Sequence, residues 1–531
     1  MKHAALLRLT AAAALTLGGH PRALPFASPG LEPDGRPNVV LFLVDDLGWQ
    51  DTSLPLHDEP TPFNARYRTP NLERLAARGV RFTQAYASAP VCTPTRTSIL
   101  TGRSPGQNRI TFWTLHRDRD TSKAHPLLAA PAWRMNGLGA EDVTLPALLR
   151  EAGYRTIHVG KAHFGAHGTS GADPRALGFD VNVAGHASGG PASFLGQHHF
   201  SLAGRRGEPP GSSSSVWDVP GLEAYHGKDI YLTEALAREA VQAVREAAED
   251  GVPFFLNFAP YAVHAPLMAN ERYLERYADL PPEEAAYATM VETVDAALGA
   301  ILDLLEELDL ADDTVFVYSS DNGGLSAHAR SGPPHVHNAP LRSGKGSAYE
   351  GGTRVPTVIA WPGVARPGAR CDVPIVSHDL FPTILASAGV PIPAEHAPTV
   401  EGSDLAPLLR GDPGFEEGRA LCWNQPHQWG ASGPGIHPFS SIRQGDWKLL
   451  YFHAERRFEL YNLAHDVGET RDLAATEPER VGELAGALDA WIERVGAQLS
   501  VDRETGREVE RPGRALERAE SPASGAGDRE G

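Results

Sequence analysis

The sequence predicts an α/β fold: a large mixed, mostly parallel sheet flanked by helices, with a smaller C-terminal α+β subdomain. Three observations predict it. The apolar run Val39 to Val44 is continuous rather than alternating, which suits a strand buried on both faces of a parallel sheet. Helix-forming stretches alternate with further runs of this kind, the order that builds such sheets. From Ser440 the pattern changes to aromatic-rich strands joined by a charged turn, the mark of an antiparallel hairpin. The chain has 531 residues, 41% of them hydrophobic and 21% charged, enough to bury a substantial core, and its 54 Gly and 44 Pro predict many ordered loops.

The elements follow in chain order. Residues 1–27 carry Lys2 and Arg8, a short apolar stretch and a small-residue exit near Ala27, the pattern of a signal peptide for a periplasmic or secreted protein. The stretch falls short of the roughly 20 apolar residues that a membrane span needs, so no stable membrane anchor is expected. "NVVLFLVDDLGWQD" is a strand that stops at Asp45 and Asp46. "RTPNLERLAARGV" reads as a helix with Thr69 as cap, Pro70 at its first position and Gly79 as terminator. "VTLPALLREAGYRTIHVGKAHFG" repeats that grammar from Thr144 to Gly153, and its strand, Arg155 to Val159, leads to Lys161 and His163. An Ala-rich helix from Asp229 to Ala248 precedes a strand whose end carries His264. Met290, Val291, Val294, Leu298, Ile301, Leu305 and Leu308 then mark one helical stripe, and the next strand ends in Asp321 and Asn322. A last helix is expected from Pro478 to Leu499, and the Glu, Arg, Gly and Ser content beyond Val501 reads as disordered. The expected organisation is thus a signal peptide over 1–27, a catalytic domain over 37–395, a C-terminal sheet-and-helix subdomain over 396–501 and a tail over 502–531.

The net charge of −18 excludes a nucleic-acid partner, because neutralising phosphates needs clustered Lys and Arg. A protein so acidic can handle an anion only by building a local positive pocket. Its three cysteines are an odd number, so one at least stays unpaired, and the surroundings of Cys92 single it out.

Parallel sheets place ligands outside the carboxyl ends of their strands, so Asp45, Asp46, Lys161, His163, His264, Asp321 and Asn322 can meet in space. Each Asp or Asn pair alone could be a turn or a cap. Together, three carboxylates and an amide oxygen form an all-oxygen set suited to calcium or magnesium. In "VCTPTRTSILTGRSP", Pro94 suits the first turn of a helix, which puts Cys92 just before its positive end, a place that binds oxyanions and favours a nucleophile. Arg96 lies one turn on. A thiolate phosphatase loop would need arginine at position 98, which is Ser98.

Cys92, Pro94, Arg96, Thr101, Gly102 and Arg103 fit a signature that begins C-x-P-x-R and continues to T-G-R. With "GKAHFG", "LRSGKGSAYEGGTRVP" and "GDWKLLYF", the chain from Asn38 to its C-terminal helix resembles the sulfatase family of the alkaline-phosphatase-like fold. The resemblance implies that a formylglycine-generating maturation enzyme oxidises Cys92 to an aldehyde, whose hydrate is the nucleophile. It implies one calcium ion on Asp45, Asp46, Asp321 and Asn322 that also touches residue 92, with Arg96 orienting the hydrate and Lys161 and Lys345 binding sulfate. In that scheme His264 is the acid for the leaving oxygen, with Lys345 able to share the task, and His163 is the base that restores the aldehyde.

The loop "WNQPHQWGASGPGIHPF" offers Trp423, His427, Trp429 and His437 to shape a sugar-sized pocket. A sulfated glycan or small molecule is the expected substrate, sulfated carbohydrate being favoured by the resemblance. A phosphodiesterase or phosphonate hydrolase of the same fold is the alternative enzyme, and a silent carbohydrate-binding relative is the alternative from another class.

Overall fold

Strand β1, Asn38–Val44, lies inside a mixed sheet and is buried along its whole length. The computed structural model describes residues 35–209, 211–325, 330–416, 418–430 and 433–520, so the expected signal peptide lies outside the described residues. Helix α1 spans Pro70–Arg78 and is followed by β2, Val80–Phe82, and α2, Cys92–Thr101. Next come α3, Leu145–Glu151, β3, Arg155–Gly160, and β4, Val181–Val183. Helix α4, Leu232–Glu249, leads to β5, Phe254–Ala259, and α5, Pro282–Glu307, to β6, Thr314–Ser320. Strands β7, Thr357–Ala360, and β8, Ala369–Cys371, precede α6, Leu380–Ser387. The sheet order is β8, β2, β7, β6, β1, β5, β3, β4, and β7 alone runs against both of its neighbours.

The continuous apolar runs serve two cores at once because successive side chains of a strand point to opposite faces. Val40, Phe42 and Val44 of β1 pack in one cluster with Leu72 and Leu75 of α1, Leu236 and Val244 of α4, and the predicted stripe of α5. Val39, Leu41 and Leu43 pack in the other with Ile99 and Leu100 of α2, Leu148 of α3 and Phe381 of α6. At about 25 cal/mol per Å² of apolar surface, this double burial is the main force holding the sheet between its helix layers.

The register of the central strands sets the site. Val44 of β1 pairs with Ser320 of β6, which brings the residues just beyond them, Asp45 and Asp46 on one side, Asp321 and Asn322 on the other, to one place. On the other flank Gly160 of β3 pairs with Ala259 of β5, and the Lys161 amide continues the ladder to the Ala259 carbonyl at 2.7 Å.

The C-terminal subdomain is a four-stranded antiparallel sheet of β9, Ala420–Gln425, β10, Phe439–Gln444, β11, Trp447–Phe452, and β12, Arg457–Asn462. The expected hairpin is therefore three strands: "GD" at Gly445 and Asp446 makes a first tight turn, with Gly445 at φ +57°, ahead of the charged one. Helix α7, Pro478–Val495, lays Val481, Leu484, Leu488 and Ile492 on Ile442, Leu449 and Leu460. The expected tail is corrected over residues 502–520. Asp502 pairs with Leu128 in a short ladder, and Pro512–Glu520 forms a helix, α8, whose Leu516 packs on the α7 cluster. Cys92, Cys371 and Cys422 are all free thiols. No helix among the described residues is long and apolar enough to cross a membrane.

Candidate active site

Ten residues singled out from the sequence come together at the carboxyl ends of β1, β3, β5 and β6. Helix α2 aims into the same place: it begins at Cys92 itself, which the sequence placed just before the helix on "TRTSILTGR", with Val91 as its extended N-cap. Every residue of α2 is buried, so Cys92 and Arg96 are presented inward from a helix with no solvent face.

Ligand-type atoms of Asp45, Asp46 and Asp321 lie within 4.8 Å of one another. Three cations stand against them. Lys161 Nζ is 2.7 Å from Asp45 Oδ1, Arg96 Nε donates to Asp321 Oδ2 at 2.7 Å, and Lys345 Nζ is 2.7 Å from Asp46 Oδ1. Arg96 also donates through Nη1 to the Lys161 carbonyl at 2.9 Å, which fixes its plane. Asn322 Nδ2 donates to Asp46 Oδ1 at 2.8 Å, leaving its Oδ1 turned elsewhere. Asp46 and His163 both hold positive φ, 58° and 55°, a conformation that persists only where the surroundings over-determine it.

Two buried acceptors, Asp45 Oδ2 and Asn322 Oδ1, have no hydrogen-bond partner among the described residues. A buried unpaired oxygen costs ~1–3 kcal/mol, more when charged, so these atoms call for a ligand of their own. Burial pushes the Asp45 carboxyl well above its usual range even with Lys161 beside it and is helped by the neighbouring charges of Asp321 and Asp46. Against the same burial, Lys345 and His264 hold Asp46 below the carboxylate range, and Arg96 and Lys161 do so for Asp321. Orphaned oxygens on a carboxylate cluster, all hard donors, fit a calcium- or magnesium-type ion.

The two histidines differ in which nitrogen is free. His163 Nε2 donates to the Thr114 carbonyl at 2.8 Å, which leaves Nδ1 as a buried lone pair with no partner among the described residues. Burial and the Lys161 charge hold His163 well below the usual imidazole value, so it stays neutral with its lone pair at Nδ1. His264 Nδ1 donates to the Ala265 carbonyl at 2.7 Å, and its Nε2 lies 3.8 Å from Asp46 Oδ2. Burial, then Lys345, brings His264 down to about 3. Burial likewise pushes the Cys92 thiol up. An unmodified thiol here is protonated and a poor nucleophile.

Of the four residues expected to shape a sugar pocket, two are corrected. Trp423 is 2% exposed, donates Nε1 to the Ala87 carbonyl at 2.8 Å and packs on Tyr86. His427 is 1% exposed, stacks on Phe112 and bonds Thr111 and Ser122 through its two nitrogens. Both are core residues, Trp423 within strand β9 and His427 in the loop that follows it. Trp429 is half-buried, with Lys345 Nζ 5.6 Å from its ring centroid, so it borders the cationic site. His437 is half-buried and bonds Gln428 Oε1 at 3.2 Å.

One segment was not legible. "AGHASGGPASF" offers His186, Ser188 and Ser193 but no pattern that assigns them a role, yet its Gly189 lies against the His163 ring and its Gly190 against His264. The paired glycines were the signal of that approach.

The family model described as Sulfatase matches residues 37–390, and the model for the C-terminal part of N-sulphoglucosamine sulphohydrolase matches residues 344–495. A sulfatase of Formosa agariphila is 28% identical over 518 residues, covering 88% of this chain and 90% of its own. Human N-acetylgalactosamine-6-sulfatase is 33% identical over 390 residues, 70% of this chain and 66% of its own. The solved structure of Ps i-CgsB in complex with k-i-k-neocarrahexaose superposes with a TM-score of 0.68 at 25% identity, covering 92% of this chain and 98% of that one.

Proposed function

The chain belongs to the sulfatase family and is a sulfuric ester hydrolase, and from that premise we propose that it cleaves a sulfated carbohydrate through an oxidised residue 92 with the help of calcium. The observation that carries this reading is the convergence, around one point, of three carboxylates, three cations, two differently protonated imidazoles and Cys92. The glycan is suggested by relatives named for N-acetylgalactosamine 6-sulfate and by the neocarrahexaose bound to the structural neighbour.

Asp45, Asp46, Asp321 and Asn322 would hold the calcium ion beside residue 92. Three carboxylates and three cations already balance in charge, so the ion supplies the positive surplus that an anionic ester needs. Lys161 and Lys345 bind sulfate oxygens, and Arg96, locked between Asp321 and the Lys161 carbonyl, orients residue 92. A formylglycine-generating enzyme, using an external two-electron oxidant, would convert the Cys92 thiol to an aldehyde with loss of its sulfur before folding buries it, and the aldehyde carries two hydroxyls once hydrated.

One hydroxyl gives its proton to the adjoining carboxylate cluster and attacks sulfur as the bond from sulfur to the alcohol oxygen breaks, leaving sulfate on residue 92. His264 donates the proton that the departing oxygen takes up. Its Nδ1 is committed to Ala265, so Nε2 is the nitrogen that exchanges, and the arriving anion favours loading a proton there. His163 then takes the proton of the second hydroxyl at Nδ1, the carbonyl re-forms and sulfate leaves. Water rehydrates the aldehyde. A neutral imidazole with an unengaged lone pair is what this step requires.

Residues 1–27 would direct export to the periplasm or outside the cell, and 37–395 and 396–501 would be the catalytic and C-terminal parts. Mass spectrometry of the tryptic peptide Phe82 to Arg96 from the native source tests the maturation. An aldehyde in place of the thiol is expected, and an unmodified cysteine in active protein would overturn it.

A further inference from the structure

Gly189 and Gly190 are buried and neither has a positive φ, so their backbone would admit any residue. Space excludes one. A Cβ on Gly189 would lie 2.4 Å from His163 Cε1 and 2.6 Å from its Nδ1. A Cβ on Gly190 would lie 2.9 Å from His264 Nδ1 and 3.0 Å from its Cε1. Carbon atoms in contact prefer about 3.5–4.0 Å, so a methyl group at either position must move a ring or the turn. The rings have little freedom to retreat. His163 is tied to the Thr114 carbonyl at 2.8 Å and is walled in by core, and His264, whose side chain is 23% exposed, is tied to the Ala265 carbonyl at 2.7 Å.

We infer that Gly189 and Gly190 are positioning residues, a side-chain-free backing that sets where the two imidazoles stand, Gly190 for His264 and Gly189 for His163. The inference rests on the functional reading above, in which the two rings serve different steps. It therefore divides the consequences of two adjacent, chemically identical substitutions. Gly190→Ala displaces the donor to the leaving oxygen, and Gly189→Ala displaces the base that frees residue 92 from sulfate. A displacement near 1 Å can cost about 10²-fold in rate.

The test uses the matured full-length enzyme and a series of aryl sulfates whose leaving phenols differ in basicity. Gly190→Ala is expected to lower kcat/KM on phenyl sulfate by about 10²-fold and on 4-nitrophenyl sulfate by less than about tenfold, because a good leaving group needs little acid help. Gly189→Ala is expected to leave that dependence unchanged while sulfated residue 92 accumulates, seen as an adduct on the Phe82 to Arg96 peptide. In a His264→Ala background, Gly190→Ala should add no further loss, and removal of the ring should restore any melting temperature that Gly190→Ala alone takes away. Equal losses across the phenols, additive losses with His264→Ala, or a melting defect that the smaller residue does not relieve would each overturn the inference. A wild-type enzyme that cleaves neither these aryl sulfates nor a sulfated sugar would instead fail the functional reading.

Discussion

Cys92 is buried, its thiol is pushed up by that burial, and no other described cysteine shares its surroundings. These facts make the side chain unreactive as synthesised, and under the proposed maturation turnover depends on the second hydroxyl of its oxidised, hydrated form. Serine supplies only one hydroxyl. In the matured background, Cys92→Ser is therefore expected to release at most one equivalent of alcohol per enzyme and then stop, as rapid-quench product counting would show. Continued release by that variant would contradict the route. Cys92, Arg96 and the strand-end acids were legible because charged and nucleophilic residues are costly to bury and are seldom placed beyond apolar strands without a purpose. Trp423 and His427 were not, because an aromatic residue in a loop reads the same whether it meets a ligand or the core. Only tertiary contacts with Ala87, Phe112 and Thr111 decide it.

Helix α1 shows how an element can be right and its reason wrong. Thr69 does occupy the N-cap position before Pro70, but its hydroxyl accepts from the Ser53 amide at 2.8 Å instead of capping the helix. The free amides are taken by α5: Asp295 accepts from Asn71 at 3.0 Å and from Leu72 at 2.9 Å. A cap supplied 220 residues or more downstream, at sequence separations of 224 and 223, leaves no local trace. Burial pushes the Asp295 carboxyl up to about 6 despite these bonds. Asp295→Asn puts an amide donor among the donors and should cost about 1–3 kcal/mol in urea unfolding near neutrality. The folded value lies above the unfolded one, so protonation on acidification favours the native state of the wild type. The difference between wild type and variant should widen by about 1 kcal/mol between about pH 7.5 and about pH 5. A difference that narrows would contradict the assignment. Of the two strands of the C-terminal sheet that were missed, one was hidden because Gly445 and Asp446 form a turn too short to interrupt the aromatic pattern, and the other, Ala420–Gln425, runs into a stretch that reads as loop.

The chain carries a net charge of −18, yet at the carboxyl edge of its sheet Arg96, Lys161 and Lys345 balance Asp45, Asp46 and Asp321. The fold class and this convergence were legible together, since both follow from apolar strands that run parallel and end in polar residues. The register that joins Val44 to Ser320, and the close approach of Gly189 and Gly190 to the histidines, arise from long-range packing and had no local signature. Ordering of residues 512–520 came likewise from Leu516 reaching a core that composition does not report. On the proposed reading, function depends on a site that is formally balanced alone and would be positive once a divalent ion is bound. The most direct measurement is hydrolysis of a sulfate and a phosphate ester of one alcohol by the native enzyme, before and after chelation and after calcium is returned. The account predicts that the sulfate ester is cleaved preferentially, that chelation abolishes the rate and that calcium restores it. Preference for the phosphate ester, or a sulfatase rate indifferent to chelation, would contradict it.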